Sequence, residues 1–314
     1  MAGSKKSRRL VFVGLIIVGF LFISGCVFGP IGSAFFGTPE FMPKPKVHLV
    51  GEPIIPNVEL EEGHGLDQSK FFITNTMLSS WITMLVLVAL FFLGTRKMKL
   101  VPGRLQSLLE GIIEGLLGFA DSVVGKGKTR AVFPLVATIF LYVLFNAWLS
   151  LLPIYEFLGF TGDGHLEKTL LRNPNTDINV PLSIALFAFV AIEFWGMRYV
   201  GFTKYVGQFL NFSSLRRGKI FMGLIDLFVG GLEMLSHMIR IISFTFRLFG
   251  NMTAGFILLL VASFLIPFVF SVVFYGLEIL VGFVQALIFA GLTLVFAAIA
   301  MTAHGEEHTE EHHS

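Results

Sequence analysis

The sequence predicts an all-α integral membrane protein, in which upright transmembrane helices and an interfacial amphipathic helix precede a long, strongly tilted C-terminal helical hairpin. Of the 314 residues, 54% are hydrophobic and only 14% are charged, against about 25% charged residues in soluble domains. Apolar runs of roughly 20 residues, the length that crosses about 30 Å of hydrocarbon, alternate with short charged segments. A net charge of +2 gives no indication of a nucleic-acid partner.

Residues 1–28 are predicted to be a signal or anchor segment, because four basic residues precede an apolar run that begins at Leu10. The run ends in Ile23-Ser24-Gly25-Cys26, which is similar to the box at which bacterial lipoprotein signals are cut and their cysteine is lipidated. Processing at Cys26 and an uncleaved anchor helix both stay open. A single cysteine excludes an intrachain disulfide. Segment 29–70, rich in proline and acidic residues, is expected outside the membrane.

The remaining membrane domain, 71–314, is divided by its charges. Basic residues between Arg96 and Arg104 predict a cytoplasmic loop by the positive-inside tendency. The helical periodicity of 105–124 predicts an amphipathic helix at the cytoplasmic interface, and 155–179 is predicted to be an external loop. The expected spans are 73–94, 133–152, 180–195 and a hairpin of 221–265 and 268–303.

The first hairpin helix would be about 65 Å long, twice what an upright span needs, so it must tilt strongly, break or lie nearly flat. Its polar residues share a stripe about 120° wide. They are Glu233, Ser236, His237, Arg240, Ser243, Arg247 and Asn251. An arginine that faces lipid at mid-membrane costs at least about 2.5 to 3.5 kcal/mol. The stripe is therefore predicted to face a water-filled path or a partner.

Simpler structural roles compete for most of these residues. Arg240 could reach an interface or pair with Glu233, and His237 and Ser243 could satisfy their hydrogen bonds within the stripe. Arg247 has no acidic residue within two turns and lies in the middle of an apolar run, so a functional role is predicted for it.

The second hairpin helix carries Glu278 and Gln285 on one face, seven residues apart. A carboxyl group inside the membrane is suited to proton exchange, with pairing to an arginine of the first helix as the structural alternative. Two H-x-x-E-H matches in the C-terminal tail fit a zinc pattern, but no chain follows to build a pocket, and a solvated tail is the better interpretation. No metal or cofactor site and no nucleotide motif is predicted.

The stretch from Ser243 to Gly255 closely resembles the signature S-x-x-x-R-L-F-G-N-M-x-A-G of subunit a in the membrane (Fo) sector of the F-type ATP synthase. Other segments resemble the family in the same order, namely Val101–Gln106, Asn146–Pro153, Asp177–Asn179, Glu233 and Gln285–Phe289. The resemblance covers roughly 73–308. One position departs: many members carry an ionisable residue nine positions after the arginine, where this chain has Phe256, whereas Glu278 keeps the partner position.

The resemblance implies a non-catalytic stator subunit with two proton half-channels, which passes protons to and from the carboxylates of a rotating c-ring. Its expected partners are the c-ring, the stator stalk subunit b, the rest of the ATP synthase and membrane lipid. It would be a multi-pass protein of the bacterial inner (plasma) membrane with a cytoplasmic C-terminus. The residues expected to serve proton translocation are Arg247, Glu278, Gln285, Asn251, Glu233, His237, Arg240 and Ser243.

Two other functions compete with this one. A stand-alone proton-coupled secondary transporter would need related repeats around a mid-membrane site, and no repeat relates the two halves of the sequence. A membrane metalloprotease would rest on the tail histidines alone.

Overall fold

The computed structural model describes residues 13–14, 16–24, 73–162, 165–209, 220–265 and 269–302. Residues 13–14 and 16–24 are helical and mostly exposed. Cys26, segment 29–70 and the histidine-rich tail lie outside the described residues, so the expectations for them stay predictions.

The described chain is predominantly helical, with one small antiparallel β-hairpin. The elements in order are α1 (Asn75–Thr95), α2 (Arg104–Val124), α3 (Lys126–Leu149), α4 (Ile154–Phe157), β1 (Gly159–Gly162), β2 (His165–Thr169), a 3-10 turn (Pro174–Thr176), α5 (Asn179–Val200), α6 (Phe202–Phe209), α7 (Ile220–Leu265) and α8 (Val269–Met301). Five helices, α1, α3, α5, α7 and α8, are long and apolar enough to cross a membrane. The predicted class of an all-α integral membrane protein is confirmed.

Helix α3 differs most from its predicted span, because it begins at Lys126 rather than near residue 133. Gly125 has a φ of 86°, a conformation that favours glycine, and this one residue turns the chain directly from α2 into α3. Lys126, Lys128 and Arg130, which precede the predicted span, therefore belong to the first turns of the helix. At the other end the chain leaves α3 after Leu149, three residues before the predicted limit. Helix α5 likewise runs five residues beyond its predicted end, to Val200.

Helix α7 is continuous over 46 residues, about 69 Å at 1.5 Å per residue. A break, one of the three possibilities left by the sequence, is absent from this helix. A helix of this length crosses a 30 Å hydrocarbon layer only when it is tilted well away from the membrane normal.

Helix α8 occupies the centre of the bundle, where it contacts α2, α3, α5 and α7. Its buried face alternates small and large residues, namely Ala286, Phe289, Ala290, Leu294 and Ala297. Small residues let membrane helices approach closely. A Cβ on Gly282 would lie 2.8 Å from the Ala147 Cβ, so glycine is required where α8 meets α3.

The predicted external loop is folded rather than irregular. Strands β1 and β2 pair antiparallel, and the following 3-10 turn packs on the first half of α1, whose inward side is polar. Thr76 Oγ1 donates a hydrogen bond of 2.9 Å to Asp177 Oδ2, and Ser79 Oγ accepts one of 3.0 Å from the Arg172 amide. Tyr155 is buried beside Ser79 and Thr83, and burial raises the pKa of its phenol.

Three helix ends meet at the opposite side of the bundle. Lys128 Nζ, in the first turn of α3, donates a hydrogen bond of 2.9 Å to the Met301 carbonyl at the end of α8. The same ammonium lies 5.8 Å from the centre of the Tyr199 ring, near the end of α5. A cation at a helix C-terminus stabilises it, because the last carbonyls carry partial negative charge. We refer to this side, where Lys128, Tyr199 and Met301 meet, as the basic side.

The Lys128 contact predicts a measurable loss of stability when it is removed. Replacing Lys128 by Met should destabilise the docked end of α8 by about 1 kcal/mol, the typical contribution of one partly exposed charge-assisted hydrogen bond. The amount of chain that stays soluble in heated detergent extracts, measured by immunoblot, should fall at a lower temperature. Lys126→Met, which changes an exposed neighbour, is the matched control. Equal melting of the two variants would contradict the role of Lys128.

Candidate functional site in the helical hairpin

The α7–α8 hairpin has one antiparallel register along its whole length, which side-chain contacts define at three levels. The three contacting pairs are Ser263–Ser271, Asn251–Gln285 and Arg240–Phe296. As the residue number decreases along α7 it increases along α8, so the two helices are antiparallel. The two serine hydroxyls are 3.0 Å apart, and Asn251 Nδ2 donates to Gln285 Oε1 at 2.8 Å. The Arg240 guanidinium lies 3.7 Å from the centre of the Phe296 ring. The register brings Arg240 and Asn251 of the polar stripe to the face of α8 that carries Glu278.

Glu278 lies between the two hairpin helices and is only 6% exposed. A Cβ on Gly255 would overlap its carboxyl group, so the carboxyl occupies space that any larger residue at 255 would fill. Helix α3 closes the site from the other side, where Trp148 Nε1 donates a hydrogen bond of 3.1 Å to the Ile279 carbonyl. Within the described residues Glu278 forms no ion pair, and the predicted structural alternative, pairing with an arginine, is not observed.

Two buried amides near this site have hydrogen-bonding capacity left over. Neither the nitrogen nor the oxygen of the Asn146 side chain has a partner in the part of the chain that the structure describes, and the same holds for Gln285 Nε2. Asn146 directly precedes the α3 residues that contact α8. Buried polar groups in this condition are usually hydrated. The Glu278 site therefore has a polar surround suited to water.

Arg247 lies one helical turn from Asn251 and is half-buried. Its only contact with a polar side chain in the described chain is a weak hydrogen bond of 3.4 Å to Ser243 Oγ. The neighbouring Phe244 and Leu248 are buried, so the guanidinium lies at the margin of the packed face. It makes no ion pair with any acidic residue of the described ranges.

The predicted polar stripe divides between two surroundings. His237, Arg240 and Asn251 contact other helices, whereas Ser236 and Ser243 are exposed. The suggested Arg240–Glu233 pair is not formed, because the Arg240 guanidinium stacks on Phe296 instead, a cation–π contact that lowers the cost of a charge in an apolar bundle.

The sequence analysis missed Glu193 and Tyr205, which form a second cluster with His237. Glu193 Oε2 accepts a hydrogen bond of 2.7 Å from the Tyr205 hydroxyl, and its Oε1 lies 2.6 Å from His237 Nδ1. Burial, followed by the hydrogen bond to Glu193, raises the pKa of Tyr205. The available signal was that Glu193 is the only acidic residue of α5. The contribution of α6 was not apparent, because no helix was predicted there.

Ionisable groups inside the spanning helices of a polytopic membrane protein are typical of transporters, pumps and channels. The sequence model of the ATP synthase A chain family matches residues 77–298. The ATP synthase subunit a of Gloeobacter violaceus is 33% identical over 233 residues, 74% of this chain and 86% of the relative. That of Helicobacter acinonychis is 31% identical over 237 residues, 74% and 94% of the two chains. The chain belongs to the ATP synthase A chain family, which confirms the resemblance.

The hairpin register predicts that cysteines introduced at positions 263 and 271 form a disulfide. In a chain with Cys26→Ser, the pair Ser263→Cys and Ser271→Cys should be oxidised readily, since the parent hydroxyls are 3.0 Å apart. Maleimide–polyethylene glycol added after denaturation should then label two thiols in the reduced chain and none in the oxidised chain. The pair Ser243→Cys and Ser271→Cys is the control, because these positions lie about 30 Å apart along the hairpin. Persistent labelling of the 263–271 pair would contradict the register.

Proposed function

We propose that the chain is the non-catalytic stator subunit of the membrane sector of an ATP synthase, which guides protons to and from the carboxylates of a rotating ring of small subunits. The single observation that carries the proposal is Arg247, a half-buried guanidinium in a membrane-spanning helix without an ion-pair partner in the described chain. Such a charge is retained at a cost, and a carboxylate supplied by a partner would compensate for it.

Arg247 can act in two ways on a passing ring carboxylate. A guanidinium presents two parallel charged donors that match a carboxylate, so Arg247 would keep the ring carboxylate ionised between its two proton exchanges. Its positive charge would also repel protons that could otherwise cross directly. Each charge that crosses releases about 2.3 kcal/mol per 100 mV, and this free energy drives rotation only if no leak exists.

The proposed outer half-channel passes Glu278. Its support is the set of polar side chains in this part of the bundle: Asn251 and Gln285, which bond to each other in the hairpin, and the buried Asn146 on α3. Phe256 is not ionisable, so Glu278 is the carboxyl group proposed to exchange protons here. The buried polar contacts of Asp177 with Thr76 support entry near the folded loop before α5.

The proposed inner half-channel starts at the basic side of the bundle and follows Glu233, His237, Arg240 and Ser243 toward Arg247. By the positive-inside tendency the basic side would be cytoplasmic, as would the C-terminus that follows Met301. The ring, the stator stalk subunit b and the rest of the synthase are the proposed partners in a bacterial cell membrane. The division of the chain into segments 1–28, 29–70 and 71–314 is part of the same proposal.

Co-purification tests the assignment against the alternative, a stand-alone proton-coupled transporter. A mild-detergent pull-down through this chain should retain small hydrophobic ring subunits and a soluble ATPase in fixed proportions. Recovery of the chain alone, still active in proton-coupled uptake, would support the transporter and refute the proposal.

Replacement of Arg247 should abolish both ATP synthesis and ATP-driven proton pumping in inverted vesicles, while the complex still assembles. Arg247→Lys should be nearly as damaging as Arg247→Ala, because an ammonium is more strongly hydrated and lacks the planar fork. Arg198→Lys, at an exposed position near the end of α5, is the matched control and should pump normally. Pumping by Arg247→Lys near the wild-type rate would refute the role.

Glu278 should be the carboxyl group to which proton conduction is most sensitive. Glu278→Gln keeps the shape but cannot release a proton, and general acid–base steps contribute about 10²- to 10⁴-fold to proton-transfer rates. Passive proton flux in vesicles stripped of the soluble ATPase should therefore fall severalfold or more. Glu233→Gln should have a smaller effect, since His237 and Arg240 still line that part of the path. An unchanged flux in Glu278→Gln, or a larger loss in Glu233→Gln, would contradict this ranking.

A further inference from the structure

We propose that His237 is a proton-loading site at the mouth of the inner half-channel, and that Glu193 and Tyr205 are the positioning residues that prepare it. The inference rests on the proposed function of the chain as a proton-guiding stator. It assigns roles to two residues, Glu193 on α5 and Tyr205 on α6, that lie outside the α7–α8 hairpin.

The contact between Glu193 and His237 selects one tautomer of the ring when the carboxyl group is ionised. A carboxylate oxygen and an imidazole nitrogen at 2.6 Å must share a proton, because two acceptors repel each other at that distance. With Nδ1 donating to Glu193, Nε2 becomes the nitrogen that takes up a proton, and the carboxylate stabilises the imidazolium that results. When Nε2 releases the proton, the pair returns to its starting state. The other carboxylate oxygen, Glu193 Oε2, accepts a hydrogen bond from the Tyr205 hydroxyl, so Glu193 is held in one orientation.

The position of Tyr205 depends on a glycine one turn from Glu193. A Cβ on Gly196 would overlap the Tyr205 ring, which means that the ring lies directly against the backbone of α5. Gly196 and Glu193 are three residues apart and share a helix face, so a ring seated on the glycine delivers its hydroxyl to the carboxylate. Gly201, with a φ of 94°, makes the turn that returns α6 to this face of α5.

A small cavity of about 40 Å³ lies against His237, with room for a few water molecules. It is also lined by Tyr205, Glu233 and Arg240 and, on α8, by Phe296, Ile299, Ala300 and Thr302. Thr302 immediately follows Met301, so the cavity lies at the basic side of the bundle. His237 is ten residues from Arg247 on α7, about 15 Å. A proton taken up at Nε2 would thus enter at the mouth of the path that ends at Arg247.

Among the residues that the structure describes, the charged and titratable groups identified in contact with His237 or its cavity come from three helices. Glu193 belongs to α5, Tyr205 to α6, and Glu233 and Arg240 to α7 itself, whereas the residues that α8 contributes to the cavity do not titrate. His237 and Glu193 are 16% and 18% exposed, so the pair is accessible to water but mostly enclosed. This arrangement suits a group that exchanges protons with the inner solution.

ATP-driven pumping by the complete synthase in inverted vesicles tests the loading site, because the inner face is then exposed to the medium and its pH can be set. Protons are taken up from that medium, and their concentration falls as its pH rises. If Glu193 and Tyr205 do not position His237, proton uptake should limit the pumping rate at alkaline pH. Glu193→Gln should slow pumping by at least about tenfold there and much less at acidic pH. Tyr205→Phe, which keeps the ring on Gly196, should show a weaker change of the same kind.

Two comparisons separate a loading site from a merely structural pair. Glu114→Gln, at an exposed position of α2, and Tyr199→Phe are the matched controls and should follow the wild-type pH profile. Pumping by His237→Ala should lose rate at alkaline pH and recover severalfold when imidazole is added to the medium as a mobile proton carrier.

A Glu193→Gln profile that runs parallel to that of the wild type, or a His237→Ala variant that imidazole does not rescue, would overturn the loading site and leave a structural contact between α5 and α7. The proposed function has a separate test in the same vesicles. If the Arg247→Ala variant still pumps, the stator role itself is refuted. If Arg247→Ala fails to pump but the pH profile of Glu193→Gln runs parallel to that of the wild type, only the inference about His237 is refuted.

Discussion

The candidate site depends on the antiparallel register of α7 and α8. Inside a membrane a polar side chain that loses its partner has no bulk water to replace it, so the hydrogen bond between Asn251 and Gln285 strongly favours one alignment. Gly255 restricts the alignment further, because only a residue without a side chain leaves room for the Glu278 carboxyl. A slip of one residue would rotate Glu278 by about 100° around its helix axis and separate it from that space.

Two ionisable groups of the described bundle, Arg240 and Glu193, are compensated in different ways, whereas Arg247 is not. Arg240 stacks on the Phe296 ring, and Glu193 faces two donors, Tyr205 and His237. Arg247 has only a weak contact with Ser243 among the described residues. Because a charge inside a membrane is expensive when it is uncompensated, this difference supports the proposal that Arg247 meets a partner's carboxylate.

Hydropathy and helical periodicity were sufficient to predict the class of fold, and the spacing of Glu278 and Gln285 correctly put both on one buried face. The start of α3 was missed, because the span was predicted to begin only after the charged residues, whereas Lys128 lies within the helix and binds the end of α8. Helical periodicity shows which residues share a face of one helix, but it does not show which other helices pack against that face. It could not show that Ser236 and Ser243 are exposed, that Arg240 stacks on Phe296, or that Tyr205 reaches Glu193 from another helix.

The groups that maintain the hairpin are separate from the group proposed to titrate within it. Asn251 and Gln285 are neutral amides whose hydrogen bond does not change with protonation, and Trp148 binds a backbone carbonyl beside Glu278 rather than its carboxyl group. The carboxyl itself makes no ion pair in the described chain. Gain or loss of a proton at Glu278 therefore breaks none of the contacts that align α3, α7 and α8. The proposed stator would need this separation, since a register that depended on the titrating group would shift with every proton.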